Sequence, residues 1–274
     1  MGYDSKMVAR VINSALGAGA QGIVCSAHHN MRSALNQLRT GNHRSPFGIY
    51  LIVPDAQSYV RIASERGVLG LLNETFGKMS LKEKTKAIFG GSLSALTSNP
   101  IGMMKTYLDA ELSLFAKSIP KSAEVKSVCL HEIITELIVS FQLKDTAQEY
   151  VRHVRDSLGI YPGFVTRNFP RFVDFVKSAS IPARDIVVMT PFNAAGFQMN
   201  PSRESCERAL ADSEGMNIIA MSLLAAGYLP LEEAVNYLVN LPTSLSCVVG
   251  VSTEVQAKQT FRYLTKNLPL GRTA

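Results

Sequence analysis

The polar side chains that could carry chemistry stand at the ends of short apolar runs. His28 and His29 follow Gly22–Ser26, Asp55 follows Phe47–Val53, and His131 and Glu132 follow Val125–Leu130. Arg167 and Asn168 follow Gly163–Thr166, and Asn193 follows Asp185–Thr190. An imidazole can move a proton near neutral pH or bind a metal, which makes His131 and His29 the catalytic candidates. For His131 the competing reading is a hydrogen-bonded histidine that fills space. His28 and His29 are adjacent, so one is expected inside and the other in solvent or capping a helix. His29, Asp55, His131 and Glu132 together are chemically able to bind a metal. No fixed ligand spacing supports such a site, and none is assigned. Glu132 and Glu136, one helical turn apart, are expected to be a solvated pair. Phe192 and Phe197 read equally as pocket lining or core.

The segment Gly250-Val251-Ser252-Thr253-Glu254 is the best candidate for a phosphate. Glycine leaves room, Ser252 or Thr253 can cap a helix, and the free amides of a helix start attract anions. Ordinary capping without a ligand is the alternative. Gly17, Gly19 and Gly22 have dinucleotide-fingerprint spacing but precede a strand instead of following one. They are therefore expected to form a turn. There is no P-loop, HExxH or GxSxG sequence.

Eight apolar runs are needed to place these residues: the six that include or precede the residues above (Gly22–Ser26, Phe47–Val53, Val125–Leu130, Gly163–Thr166, Asp185–Thr190 and Cys247–Ser252), with Lys86–Gly90 and Asn217–Ser222. Most lack polar alternation, as in parallel strands covered on both faces. Helical periodicity falls between them, at His29–Arg39, Thr146–Leu158, Phe169–Lys177, Ser202–Leu210, Leu231–Leu241 and Glu254–Leu264. Eight β/α units predict a single-domain α/β protein, a (β/α)8 TIM barrel over residues 1–274, because closure removes the sheet edges. Within residues 1–20, Ser5–Leu16 is expected to be a helix closing the barrel bottom. In such a barrel the polar strand ends converge around one opening.

Bulk properties agree. The chain has 274 residues, of which 46% are hydrophobic and 18% charged, a globular composition that excludes wholesale disorder. The net charge of +6 comes from dispersed Lys and Arg, so nucleic-acid binding is not expected, while a mild positive field suits an anionic small molecule. No run is long and apolar enough to span a bilayer and no signal peptide is visible, so neither membrane association nor export is expected. The four cysteines form no CxxC pair and read as buried thiols of a reducing compartment, here the cytoplasm.

From about Gly163 onward the chain resembles the aldo-keto reductase superfamily. Asn217-Ile-Ile-Ala-Met-Ser-Leu-Leu-Ala-Ala-Gly-Tyr-Leu-Pro-Leu-Glu-Glu-Ala-Val looks like the family's seventh strand and next helix, and Val248-Val-Gly-Val-Ser-Thr-Glu-Val-Gln like its eighth strand. Gly163-Phe-Val-Thr-Arg-Asn-Phe-Pro is similar to its fifth-strand serine-asparagine segment, and Val125-Lys-Ser-Val-Cys-Leu-His to the strand ending in its active-site histidine. The resemblance implies a barrel that binds NADP across the strand ends and reduces a carbonyl. His131 takes the histidine's role, and Asn168, Asn193, Gly250, Ser252 and Thr253 are the cofactor-contacting candidates. The family's aspartate place holds Val24 or Cys25, its tyrosine place falls near His28 or His29, and its lysine place near Pro54. The leading expectation is thus a divergent reductase-like barrel binding NADP or another phosphate-bearing small molecule. A metal-dependent lyase or isomerase and a non-catalytic barrel protein are the alternatives.

Overall fold

The computed structural model describes residues 4–40, 46–54 and 100–268. Among these residues there are seven strands: β1 (Gly22–Ser26), β2 (Phe47–Val53), β3 (Ala123–Leu130), β4 (Tyr161–Val165), β5 (Val187–Pro191), β6 (Asn217–Met221) and β7 (Ser246–Cys247). All neighbours pair in parallel, and the order in the sheet is the order in the chain. The helices are α1 (Ser5–Gly17), α2 (His29–Thr40), α3 (Pro100–Ala116), α4 (Glu132–Ser140), α5 (Lys144–Arg152), α6 (Phe169–Ser178), α7 (Arg203–Ala211), α8 (Leu231–Val239) and α9 (Glu254–Asn267).

The two faces of the sheet bury different residues, because successive side chains of a strand point to opposite sides. On one face Ile49, Leu51, Val53, Val128, Leu130, Phe164, Val188 and Ile218 join the large core shared with the helices. On the other, Cys129, Val165, Val187, Met189 and Ile219 form a second cluster, joined by Val24, Tyr50, Ile52, Met221 and Val248. The sheet curls. Laid flat, β1 and β7 would stand roughly 29 Å apart, six strand spacings. Instead Ile23 and Val24 of β1 line one cavity with Cys247, Val248 and Val249 at and just beyond β7.

Of the expected eight-stranded closed barrel, the described residues form seven strands of one curled parallel sheet. Residues 47–53 pair directly with residues 123–130, so no strand stands between them where an eighth was expected. The candidate Lys86–Gly90 lies outside the described residues. Among those described, β1 and β7 are the two ends of the sheet and no ladder joins them. The N-terminal helix, expected at the barrel bottom, packs against α2 and α9. Val11 and Ala15 meet Ala257, while Arg10 and Ser14 reach Glu254 at 3.4 and 3.3 Å.

Helix starts are set by local chemistry. Asp4, Asn168, Ser202 and Thr253 each accept an amide hydrogen at the N-terminus of α1, α6, α7 and α9, as capping residues do. The helix α3 was not expected. Its sequence, PIGMMKTYLDAELSLFA, is apolar on most sides and offers no 3.6-residue contrast.

Tyr150 on α5 ties two strands together. Pro162 in β4 has no N–H to give, and it pairs with Val128. The buried Tyr150 hydroxyl donates to Val128 O at 2.5 Å and accepts from Gly163 N–H at 3.3 Å, with Gly163 O at 3.0 Å. A side chain on Gly163 would collide with Cys129 Sγ, 2.2 Å from an added Cβ, so the strands close up only around glycine. The Tyr150 ring packs edge-on to Phe164 at 5.3 Å. Tyr150→Phe keeps the packing and removes the hydroxyl. It is expected to cost about 1–3 kcal/mol, measured as a lower urea midpoint at unchanged slope.

Candidate functional site

The strand-end residues are held by their own loops. His131 caps α4: its backbone N–H donates to Val53 O at 2.7 Å, and its Nδ1 accepts the Ile133 amide at 3.3 Å. Of the neighbouring histidines, His28 is half-buried with its Nδ1 accepting the Asn30 amide at 3.2 Å, and His29 is exposed at the first residue of α2. Asn168 Oδ1 accepts the Arg171 amide at 3.3 Å, and its own N–H donates to Thr166 Oγ1 at 3.1 Å.

One expectation changes. Glu132 and Glu136 are not a solvated pair. Glu136 Oε1 accepts from Thr166 Oγ1 at 2.7 Å and from Arg167 N–H at 3.0 Å, while Arg167 Nε donates to Glu132 Oε2 at 2.8 Å. Together they join the start of α4 to the end of β4. Asn193 is fully buried, and its carboxamide clamps its own loop, accepting from Phe197 N–H at 2.8 Å and donating to Phe197 O at 2.9 Å. Phe192 is core, whereas Phe197 is 39% exposed.

At the start of α9 the cap is doubled. Thr253 Oγ1 accepts from Gln256 N–H at 3.1 Å, and the Gln256 carboxamide reaches back to Ser252 N–H at 2.8 Å. Glu254 N–H and Val255 N–H have no acceptor among the described residues. Gly250, Ser252 and Thr253 are exposed. The turn thus presents free amides to solvent, which is what an anion needs. The glycines suggestive of a dinucleotide fingerprint form the turn into β1, with Gly19 at φ 104°. Asp55 lies outside the described residues. Among these, no group of three His, Cys, Asp or Glu side chains is placed to hold a metal, and no helix is long and apolar enough to cross a membrane.

A cavity of about 540 Å³ lies between β1 and the chain around β7, walled also by α1 and α9. Of the strand-end candidates, Gly250 and Ser252 line it; His29, His131, Asn168, Asn193 and Thr253 do not. Sequence reasoning missed its two most telling residues, Tyr50 and Lys126. The register of β2 and β3 slips between Ile49 and Tyr50, which face Val125 and Ser127, so Lys126 is an unpaired bulge residue. A Cβ on Gly48 would lie 3.0 Å from Lys126 Cγ and 3.5 Å from Tyr50 Cε2, which puts all three on the inner face. A lysine inside an otherwise buried run, Val-Lys-Ser-Val-Cys-Leu, was the signal available in the sequence. Burial pushes the Tyr50 phenol up, Cys129 adds to the rise, and Lys126 opposes it.

Comparison with known proteins was informative only at the level of structure. No family model matches the sequence, and no curated protein sequence matches it. Solved structures of aldo-keto reductases do match in fold. A Pseudomonas aeruginosa protein of this type aligns with 97% of this chain and 84% of its own at 14% identity and a TM-score of 0.59. The aldo/keto reductase of Brucella melitensis covers 98% and 86% at 11% identity and 0.56. The holo form of a Bacillus halodurans aldo-keto reductase covers 96% and 83% at 10% identity and 0.53. At these identities the similarity establishes the aldo-keto reductase fold.

The four thiols give an experimental handle. Burial pushes Cys25 and Cys129 up to about 12, and Cys206 and Cys247 to about 11. Only Cys247, which lines the cavity, is partly accessible. At pH 8 a maleimide is expected to label Cys247 slowly and the other three only after denaturation, read by peptide mass spectrometry. An unfolded thiol ionises near about 8.5, below these raised native values. The unfolded chain therefore releases protons first, and stability should fall as pH rises from about 8.5 toward 12.

Proposed function

We propose that this protein is a carbonyl oxidoreductase that binds NADP at the C-terminal ends of its later strands. The observation that carries the reading is the extent of the shared fold, which spans 96–98% of the chain against aldo-keto reductases. The residues present fit a phosphate-bearing cofactor at one end. Glu254 N–H, Val255 N–H and the Ser252 hydroxyl would hold a phosphate, aided by the positive end of the α9 dipole. Asn168 keeps its amide NH2 free while its oxygen caps α6, and it would contact the nicotinamide end. Asn193 has no part in this reading.

A bound nicotinamide supplies the hydride; the chain must supply orientation and a proton. His131 is the group for both. Its Nδ1 accepts the Ile133 amide, which leaves the ring proton on Nε2. That N–H can polarise a carbonyl oxygen as charge develops; protonating it takes the imidazolium, which forms when Nδ1 gives up the Ile133 amide and takes a proton from solvent, and which returns to the neutral ring as the proton passes from Nε2 to the oxygen. His29, exposed and outside this arrangement, takes no step. Tyr50 and Lys126, the side chains whose types would suit a proton donor and its tuning cation, share the inner face instead of the strand ends, so His131 carries the proton transfer alone.

NADPH fluorescence titration, followed by NADPH oxidation with a panel of aldehydes and ketones, tests the reading. Saturable binding is expected, weakened about tenfold by Ser252→Asp, which places a like charge at the phosphate. His131→Ala is expected to lower kcat about a hundredfold or more with cofactor affinity unchanged. Absence of saturable binding at millimolar NADPH would overturn the proposal.

A further inference from the structure

We propose a second ligand site: the cavity between β1 and the β7 segment binds an aliphatic carboxylic acid, with Lys126 and Tyr50 receiving the carboxylate. It stands independently of cofactor binding. Barrel interiors of this kind are normally filled by side chains. Here Gly22 and Gly48 contribute none to the inner face, and no strand closes the space between β1 and β7 among the described residues. What results, at about 540 Å³, lies within the roughly 300–1,000 Å³ range of small-molecule pockets. Its walls are mostly apolar, including Val11, Ile23, Val24, Ile219, Val248 and Phe261.

The charge of the lining selects the ligand. Among the described residues, Lys126 is the one ionised side chain on it, and none of them that lines the cavity is Asp or Glu. A cationic ligand would meet repulsion, and a purely apolar one would leave the ammonium unused. Lys126 Nζ pairs with Glu124 Oε2 at 2.8 Å, but Glu124 is 72% exposed and Lys126 37%. Such a surface pair holds weakly and can yield to a carboxylate arriving from inside. The Tyr50 hydroxyl makes no hydrogen bond among the described residues, so it is free to donate to the second carboxylate oxygen. A hydrocarbon tail then occupies the apolar interior.

The test uses the full chain and calorimetric titration with decanoate, dodecanoate, tetradecanoate and dodecanol. Affinity is expected to rise about fourfold per added methylene until the cavity is full. Lys126→Met should weaken dodecanoate at least tenfold while leaving dodecanol unchanged, and the alcohol result also reports that the variant is folded. Dodecanoate should slow maleimide labelling of Cys247. The proposal is overturned by the absence of saturable dodecanoate binding, by equal affinity in Lys126→Met, or by unprotected Cys247. None of these outcomes bears on NADPH binding, which is measured separately.

Discussion

Direct pairing of β2 with β3 is the constraint from which most of the molecule follows. Both strands are apolar on both faces, so each face must find a dry partner. The outer face finds helices. The inner face finds the other strands, which requires the sheet to bend until Val24 and Val248 line one cavity. Seven strands joined by six ladders in sequence order then bring β1 and β7 near each other without joining them. Unpaired strand edges invite other chains, and here α1 and α9 stand beside them, with Val11 and Ala15 packed on Ala257.

The same bend separates two regions with different chemistry. At the C-terminal strand ends, side chains are committed to their own loops. Glu136 collects Thr166 and the Arg167 amide, and Asn193 clamps Phe197. These bonds fix the loops while leaving His131 Nε2 and the first amides of α9 unspent. Inside, the bulge at Lys126 and the absent side chains at Gly22 and Gly48 open a space that a fully packed interior would lack. A register slip of one residue is enough to turn a lysine toward the interior, and the charge of Lys126 reaches the cavity that way.

Sequence by itself determined the strands and most helices. Six apolar runs lie on strands, whereas of Cys247–Ser252 only Cys247 belongs to one and Lys86–Gly90 lies outside the described residues; the boundaries of α2, α6, α7 and α9 agree to within a few residues, because burial on both faces and capping by Asn168, Ser202 or Thr253 are local patterns. It also showed that the glycine triplet precedes a strand. The resemblance to aldo-keto reductases pointed to the fold that the structures then matched. What it could not decide was which strands pair. The direct β2–β3 ladder, the role of Glu136 and the placing of Tyr50 beside Lys126 each join residues far apart in the chain or depend on register. A side chain's type limits the bonds it can make, but only the tertiary structure decides whether a partner has already used them.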